Sequence, residues 1–219
     1  MPTLALEFST RFRSVAATRD ESSPIFTSTA EGMRTTGTME LVGKVLEAAH
    51  LRITDIDTVL VGIGPGSYTG VRAALAFAEG WKLATEGTIL AIPTNHILAH
   101  GLTLKGASGK WRIIIDAQKK EFYSATYSLA PGNFVMQDAI KIVSTDELTE
   151  ATSAHEQIAG PEALRLCGGV DLYPLAESMI QISRTLPQLM QMDLEPIYLR
   201  PISFVKAPKR PPLPDGLSR

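Results

Sequence analysis

Apolar residues recur along this chain with two periods, and the two periods divide it into strands and helices. Short alternating or β-branched runs predict strands at Thr3–Phe8 (TLALEF), Ser14–Thr18 (SVAAT), Pro24–Thr29, Thr58–Val61 (TVLV) and Ile89–Ile92. Ser9–Arg13 (STRFR) joins the first two as a hairpin turn. Thr38–His50 instead repeats apolar residues at helical spacing, through Val42, Val45, Leu46 and Ala49. Leu41 and Ala48 widen that stripe, and Glu40, Lys44 and Glu47 form its wet face. Pro93 ends a strand, and Asn95–Leu104 reads as the next helix. Lys105–Lys110 (KGASGK) reads as a linker. Beyond it the pattern predicts strands at Trp111–Asp116, Phe122–Leu129 and Val135–Val143, the first two joined by the turn Ala117–Glu121. A short helix at Thr145–Thr152, a strand at Gln157–Gly160, a long helix at Pro174–Met190 and a strand at Pro196–Leu199 follow. The prolines from Pro208 onward predict a disordered tail.

One helix departs from the ordinary amphipathic pattern. Along Val71–Glu86 the polar residues Arg72, Glu79, Lys82 and Glu86 fall on one narrow strip. Most of the remaining circumference is apolar, so this helix needs cover on more than one side. Small residues at Ala73, Ala76 and Gly80 would let a second helix come close, whether from its own domain or from a protein partner.

The loop that starts this helix, Gly62–Gly70 (GIGPGSYTG), places four glycines at a strand-to-helix junction. Such glycines permit positive φ and close backbone approach. Ser67 or Thr69 could cap the helix, and its first N–H groups could hold an anion. The loop lacks the Lys of a phosphate-cradling P-loop, and Gly70 falls one residue late for a dinucleotide fingerprint. A tight turn with a capped helix and an anion cradle both remain open on these residues.

Composition narrows the class. The chain has 219 residues and a net charge of −2, enough to bury a real core and without a basic field for tight nucleic-acid binding. The single Cys167 allows no intrachain disulfide and no cysteine zinc cluster. No run reaches membrane-spanning length and no basic-then-apolar leader opens the chain, so a cytoplasmic protein with no membrane partner is expected.

Three groups of residues carry candidate chemistry. Glu7, near the end of the first strand, with Ser9 and Thr10 is one way to hold a phosphate–metal pair, though spacing alone favours a hairpin with polar turn residues. Gly64, Gly66 and Ser67 of the glycine loop complete that set of candidate cofactor-binding residues. His96 and His100 lie at i, i+4 on one helical face and could share a metal, but they lack a third ligand, and Ile97 stands where a zinc peptidase motif needs Glu. Asp116 and Glu121 flank a hairpin turn, where pairing with Lys119 or Lys120 is the plainer account.

Four stretches carry a family resemblance: GPGSYTGVRAALAFAEG, LALEFSTRFRSVA, IDAQKKEFYSA and EPIYLRP. They resemble the segments GPGSFTGxRxGxxxAxG, LAIDTSTxxxSVA, IDARxxEVYxA and EPxYLR of the TsaB (YeaZ) family, and they follow the family's order along the chain, between residues 4 and 201. The resemblance implies an actin-like, sugar-kinase-like (ASKHA) α/β fold of two lobes with mixed sheets, here expected at 1–105 and 106–205, before a tail at 206–219. It also implies a non-catalytic subunit that pairs with the paralogue TsaD in making threonylcarbamoyladenosine beside the tRNA anticodon, joined by the ATPase TsaE and reaching tRNA through the complex. The implied pairing surface lies on helices 38–50 and 71–86, with Leu41, Val45, Ala48, Ala73, Ala76, Phe77 and Gly80 as its candidates. A free chain would self-associate through the same face. No catalytic residue, metal or cofactor is expected in the isolated chain, with ATP or ADP left to the interface with the paralogue. Two places depart from the family pattern: in the first strand Glu7 replaces the shorter Asp and Phe8 a Thr hydroxyl, and His96 and His100 stand where the family usually lacks histidines and the catalytic paralogue carries a metal pair. The competing readings are a metal-dependent peptidase and a small-molecule kinase of the same fold.

Overall fold

The computed structural model describes residues 1–32, 37–153 and 156–199. Two mixed sheets organise them. The first contains β1 (Thr3–Glu7), β2 (Phe12–Thr18), β3 (Phe26–Glu31), β4 (Thr58–Gly62) and β5 (Thr88–Ile92), in the order β3-β2-β1-β4-β5. Its first three strands are antiparallel, and β1, β4 and β5 run parallel. The second contains β6 (Gly109–Asp116), β7 (Glu121–Ala130), β8 (Asn133–Met136), β9 (Lys141–Ser144), β10 (Gln157–Gly160) and β11 (Val170–Asp171). Here the order is β11-β10-β6-β7-β8, and β9 also pairs with β7. This is the two-lobed α/β class that the resemblance implied.

Alternation along each strand decides what each sheet face packs against. Leu4 and Leu6 point to one side with Val59 and Val61, against α1 (Thr38–Ala48) and α2 (Tyr68–Ala84). Ala5 and Leu60 point to the other side, where α3 (Thr94–Leu104) and α6 (Ala176–Thr185) fill the space between the sheets. Ile113 and Ile115 reach the same middle layer from the second sheet. Ile114 points away from it, into a smaller core that includes Leu148 of α4 (Thr145–Ser153) and Ala163 of α5 (Ala163–Cys167). The middle layer thus joins the two sheets through one continuous apolar cluster. A polar bond crosses it too: Ser14 Oγ of β2 accepts the Ala176 N–H at 3.0 Å, satisfying an orphan donor at the start of α6.

Several expected elements take a different form. Val135–Val143 is two strands, β8 and β9, because the chain leaves β7 at Asp138 and rejoins it at Lys141. The helix expected over Pro174–Met190 ends at Thr185 and continues as a 3₁₀ turn at Pro187–Leu189, with Pro187 unable to extend the hydrogen-bond ladder. Pro196–Leu199 is not a strand; Ile197 N–H donates to Ile63 O at 3.0 Å, and no ladder follows. α5 and β11 had no predicted counterpart, being five and two residues long. The expected tail at 206–219 lies outside the described residues. Among the described residues no helix is long and apolar enough to cross a membrane.

Candidate functional site

The glycine loop is built around its own chain. A Cβ on Gly66 would stand 2.2 Å from Ser9 O, and one on Gly70 would stand 1.8 Å from Phe8 O. Those glycines therefore let the loop press against the β1–β2 turn. Ser67 N–H donates to Ser9 O at 2.6 Å, and Ser67 Oγ accepts the Gly70 N–H at 3.2 Å as the cap of α2. Gly64 takes a left-handed φ of 85° and precedes Pro65 through a cis peptide bond. Ser67 is thus the cap that the sequence offered at this position.

Glu7 lies beneath this junction and is completely buried. Its Oε1 accepts the Ser9 N–H at 2.7 Å, and its Oε2 accepts the Thr94 hydroxyl at 3.4 Å. Burial pushes its carboxyl up to about 7, against the downward pull of these hydrogen bonds. The longer side chain of Glu is accommodated by a missing one: a Cβ on Gly62 would sit 2.0 Å from Glu7 Oε2. Ser9 Oγ is buried beside this carboxylate, and its hydroxyl also pulls the Glu7 carboxyl downward.

The two histidines sit in the middle layer. His96 Nδ1 meets Tyr127 Oη at 2.9 Å, and Asn95 Nδ2 donates to the same hydroxyl. Phe134 packs beside them, with its ring centroid 5.7 Å from that of His96. Burial lowers His96 to about 4, lowers His100 in the same direction, and raises the phenol of Tyr127. His96 thus belongs to an aromatic–amide cluster around Tyr127. Among the described residues no group of three His, Cys, Asp or Glu side chains comes together as a metal site. Tyr127 was not singled out from sequence, because alternation on β7 identifies it as a core residue and says nothing of its hydroxyl. Asp116 Oδ1 accepts the Gln118 N–H at 2.8 Å and so closes the β6–β7 turn, rather than serving mainly as a partner for lysine.

The candidate pairing residues divide. Leu41 and Val45 are only 3% and 1% exposed, and they belong to the first core instead of a pairing face. They lie on the stripe of α1 that the sheet covers, so the expectation for these two is corrected. Ala48 is exposed on the other side of α1. On α2, Val71, Ala74, Leu75, Ala78 and Trp81 face inward. Ala76 and Gly80 are exposed, Ala73 and Phe77 are half-buried, and Leu83 is 91% exposed. Ala76, Phe77, Gly80, Trp81, Ala84 and Ile53 line an open apolar groove of about 370 Å³. The helix therefore keeps an apolar outer face after the fold has covered its inner one.

This architecture is that of a two-lobed α/β protein in which a capped helix presents an apolar outer face. It matches YeaZ from Pseudomonas aeruginosa with a TM-score of 0.76 at 22% identity, over 90% of this chain and 99% of that one. The family model described as "TsaD: tRNA N6-adenosine threonylcarbamoyltransferase" matches residues 35–180, about two thirds of the chain, and the chain belongs to that family. Two relatives match over nearly their whole lengths. The tRNA threonylcarbamoyladenosine biosynthesis protein TsaB of Escherichia coli is 26% identical, with 91% of this chain and 95% of that protein aligned. The protein of the same name from Haemophilus influenzae is 24% identical, over 94% and 97%.

Proposed function

We propose that this chain is the TsaB-type, non-catalytic subunit of the tRNA threonylcarbamoyladenosine system, pairing with a TsaD-type paralogue through the outer face of α2. A TsaE-type ATPase and tRNA join through the complex, and a free chain covers the same face with a second copy. The observation that carries this reading is the exposed apolar surface of α2, with Ala76 and Gly80 beside a groove lined by Phe77 and Trp81. Side chains this small let a facing helix approach closely, and an apolar patch of this kind is a docking site more often than a bare surface. The candidate pairing residues become Ala48, Ala73, Ala76, Phe77 and Gly80. His96 bonded to Tyr127, and Glu7 enclosed by Ser9 and Thr94, favour this reading over a peptidase or a kinase.

Ala76→Arg tests it. On the monomer the arginine side chain can lie in water, so the variant stays folded, while self-association through this face is lost together with pairing. At the centre of an interface the same charge loses its water without gaining a partner. Pairing with the TsaD-type paralogue, measured by calorimetry or co-elution, falls by about a hundredfold or more. A folded variant that pairs with unchanged affinity would refute the assignment of α2.

A further inference from the structure

The β1–β2 turn carries a side chain that leaves its own sheet. Arg11 Nη2 donates to Tyr173 Oη at 2.9 Å, and its Nη1 lies 3.6 Å from Glu162 Oε1. Tyr173 precedes α6 and Glu162 precedes α5, so both partners belong to loops of the second sheet. The guanidinium lies 5.5 Å from the centre of the Tyr173 ring and 5.1 Å from that of Phe12, and these two rings meet edge-on at 4.5 Å. Arg11 also lies 3.6 Å from Glu31 of its own sheet.

This contact differs in kind from the rest of the junction between the sheets. The middle layer is buried and apolar, whereas the Arg11 side chain is 48% exposed. Exposed ion pairs and cation–π contacts are individually weak, so they can release without unfolding the core. The turn they hold contains Phe8 and Ser9, whose carbonyls support the glycine loop. Next to that loop lies a fully buried carboxylate, which gains by meeting water. We propose that Arg11 is a releasable latch between the two lobes, held by Tyr173 and Glu162, and that its release admits water to the Glu7–Ser9 corner.

Amide hydrogen exchange on the full chain tests the latch through variants at both ends. Arg11→Ala accelerates exchange across residues 7–12 and 63–67 by about tenfold, the scale of one weak polar cluster. Tyr173→Phe keeps the ring and removes the hydroxyl, and gives a smaller acceleration in the same two segments. The amides of Leu60 and Val61, inside β4, keep their rates in both variants. If Arg11→Ala does not fold, Tyr173→Phe decides by the same readout. Unchanged exchange across 7–12 overturns the proposal. So does an equal acceleration at Leu60 and Val61, which would mark general loosening rather than release of a latch.

Discussion

Replacing Glu7 by Gln should make the protein more stable at neutral and alkaline pH, and by an amount that follows from its burial. In the folded chain the carboxyl is raised to about 7 from its ordinary 4.5, chiefly because burial disfavours the charged form. A raised carboxyl means that the folded state holds its proton more tightly than the unfolded state does. Stability from this group is therefore greatest below pH 4.5, falls as pH rises towards 7, and is level above that. A displacement of this size corresponds to roughly 3 kcal/mol. Gln keeps an oxygen for the Ser9 N–H and places an NH2 that can donate to the Thr94 hydroxyl oxygen, and it carries no charge to desolvate. Urea unfolding of both proteins at pH 5 and pH 8 isolates the effect, because all other titrating groups are common to the pair. The free-energy advantage of Glu7→Gln should grow by about 2–3 kcal/mol between those two values, or about 1 M in the urea midpoint. A difference that stays constant with pH would refute the reasoning and would place the carboxylate in contact with water.

Two further outcomes rest on single contacts. Gly62→Ala should destabilise the chain by about 2 kcal/mol or more, since the new Cβ meets Glu7 Oε2 at 2.0 Å. Combining it with Glu7→Ala should cost less than the two changes summed, and strict additivity of the unfolding free energies would contradict the contact. Tyr127→Phe should cost about 1–3 kcal/mol, because Asn95 and His96 both lose their bond to the buried hydroxyl. An unchanged unfolding free energy would show that those two side chains find other partners.

Much of this protein was legible in its residue pattern. Alternation in TLALEF and the β-branched run TVLV gave two adjacent inner strands of the first sheet, helical spacing gave α1, and the Ala-rich run without proline gave α2. Ser67 and Thr69 were both readable as caps because they stand where a strand ends and an Ala-rich run begins, and Ser67 takes the position. These features are local, so the sequence carries them directly. Which face of each helix meets solvent is not local. Leu41, Val45 and Ala76 all read as apolar positions on a candidate surface, yet the sheet covers the first two and leaves the third exposed. The glycines of GIGPGSYTG read equally well as a cradle or a turn, until the Phe8 and Ser9 carbonyls, some sixty residues earlier, occupied the space they leave. Glu7 looked like a longer version of a metal-binding carboxylate. Its fit depends on Gly62, the missing side chain on the neighbouring parallel strand, where β1 and β4 are brought together only by the fold. Sequence by itself determined the longer elements and the family, because both are written in runs of adjacent residues. Tertiary structure alone decided which polar groups are enclosed and which apolar face stays open, because both depend on what distant segments cover.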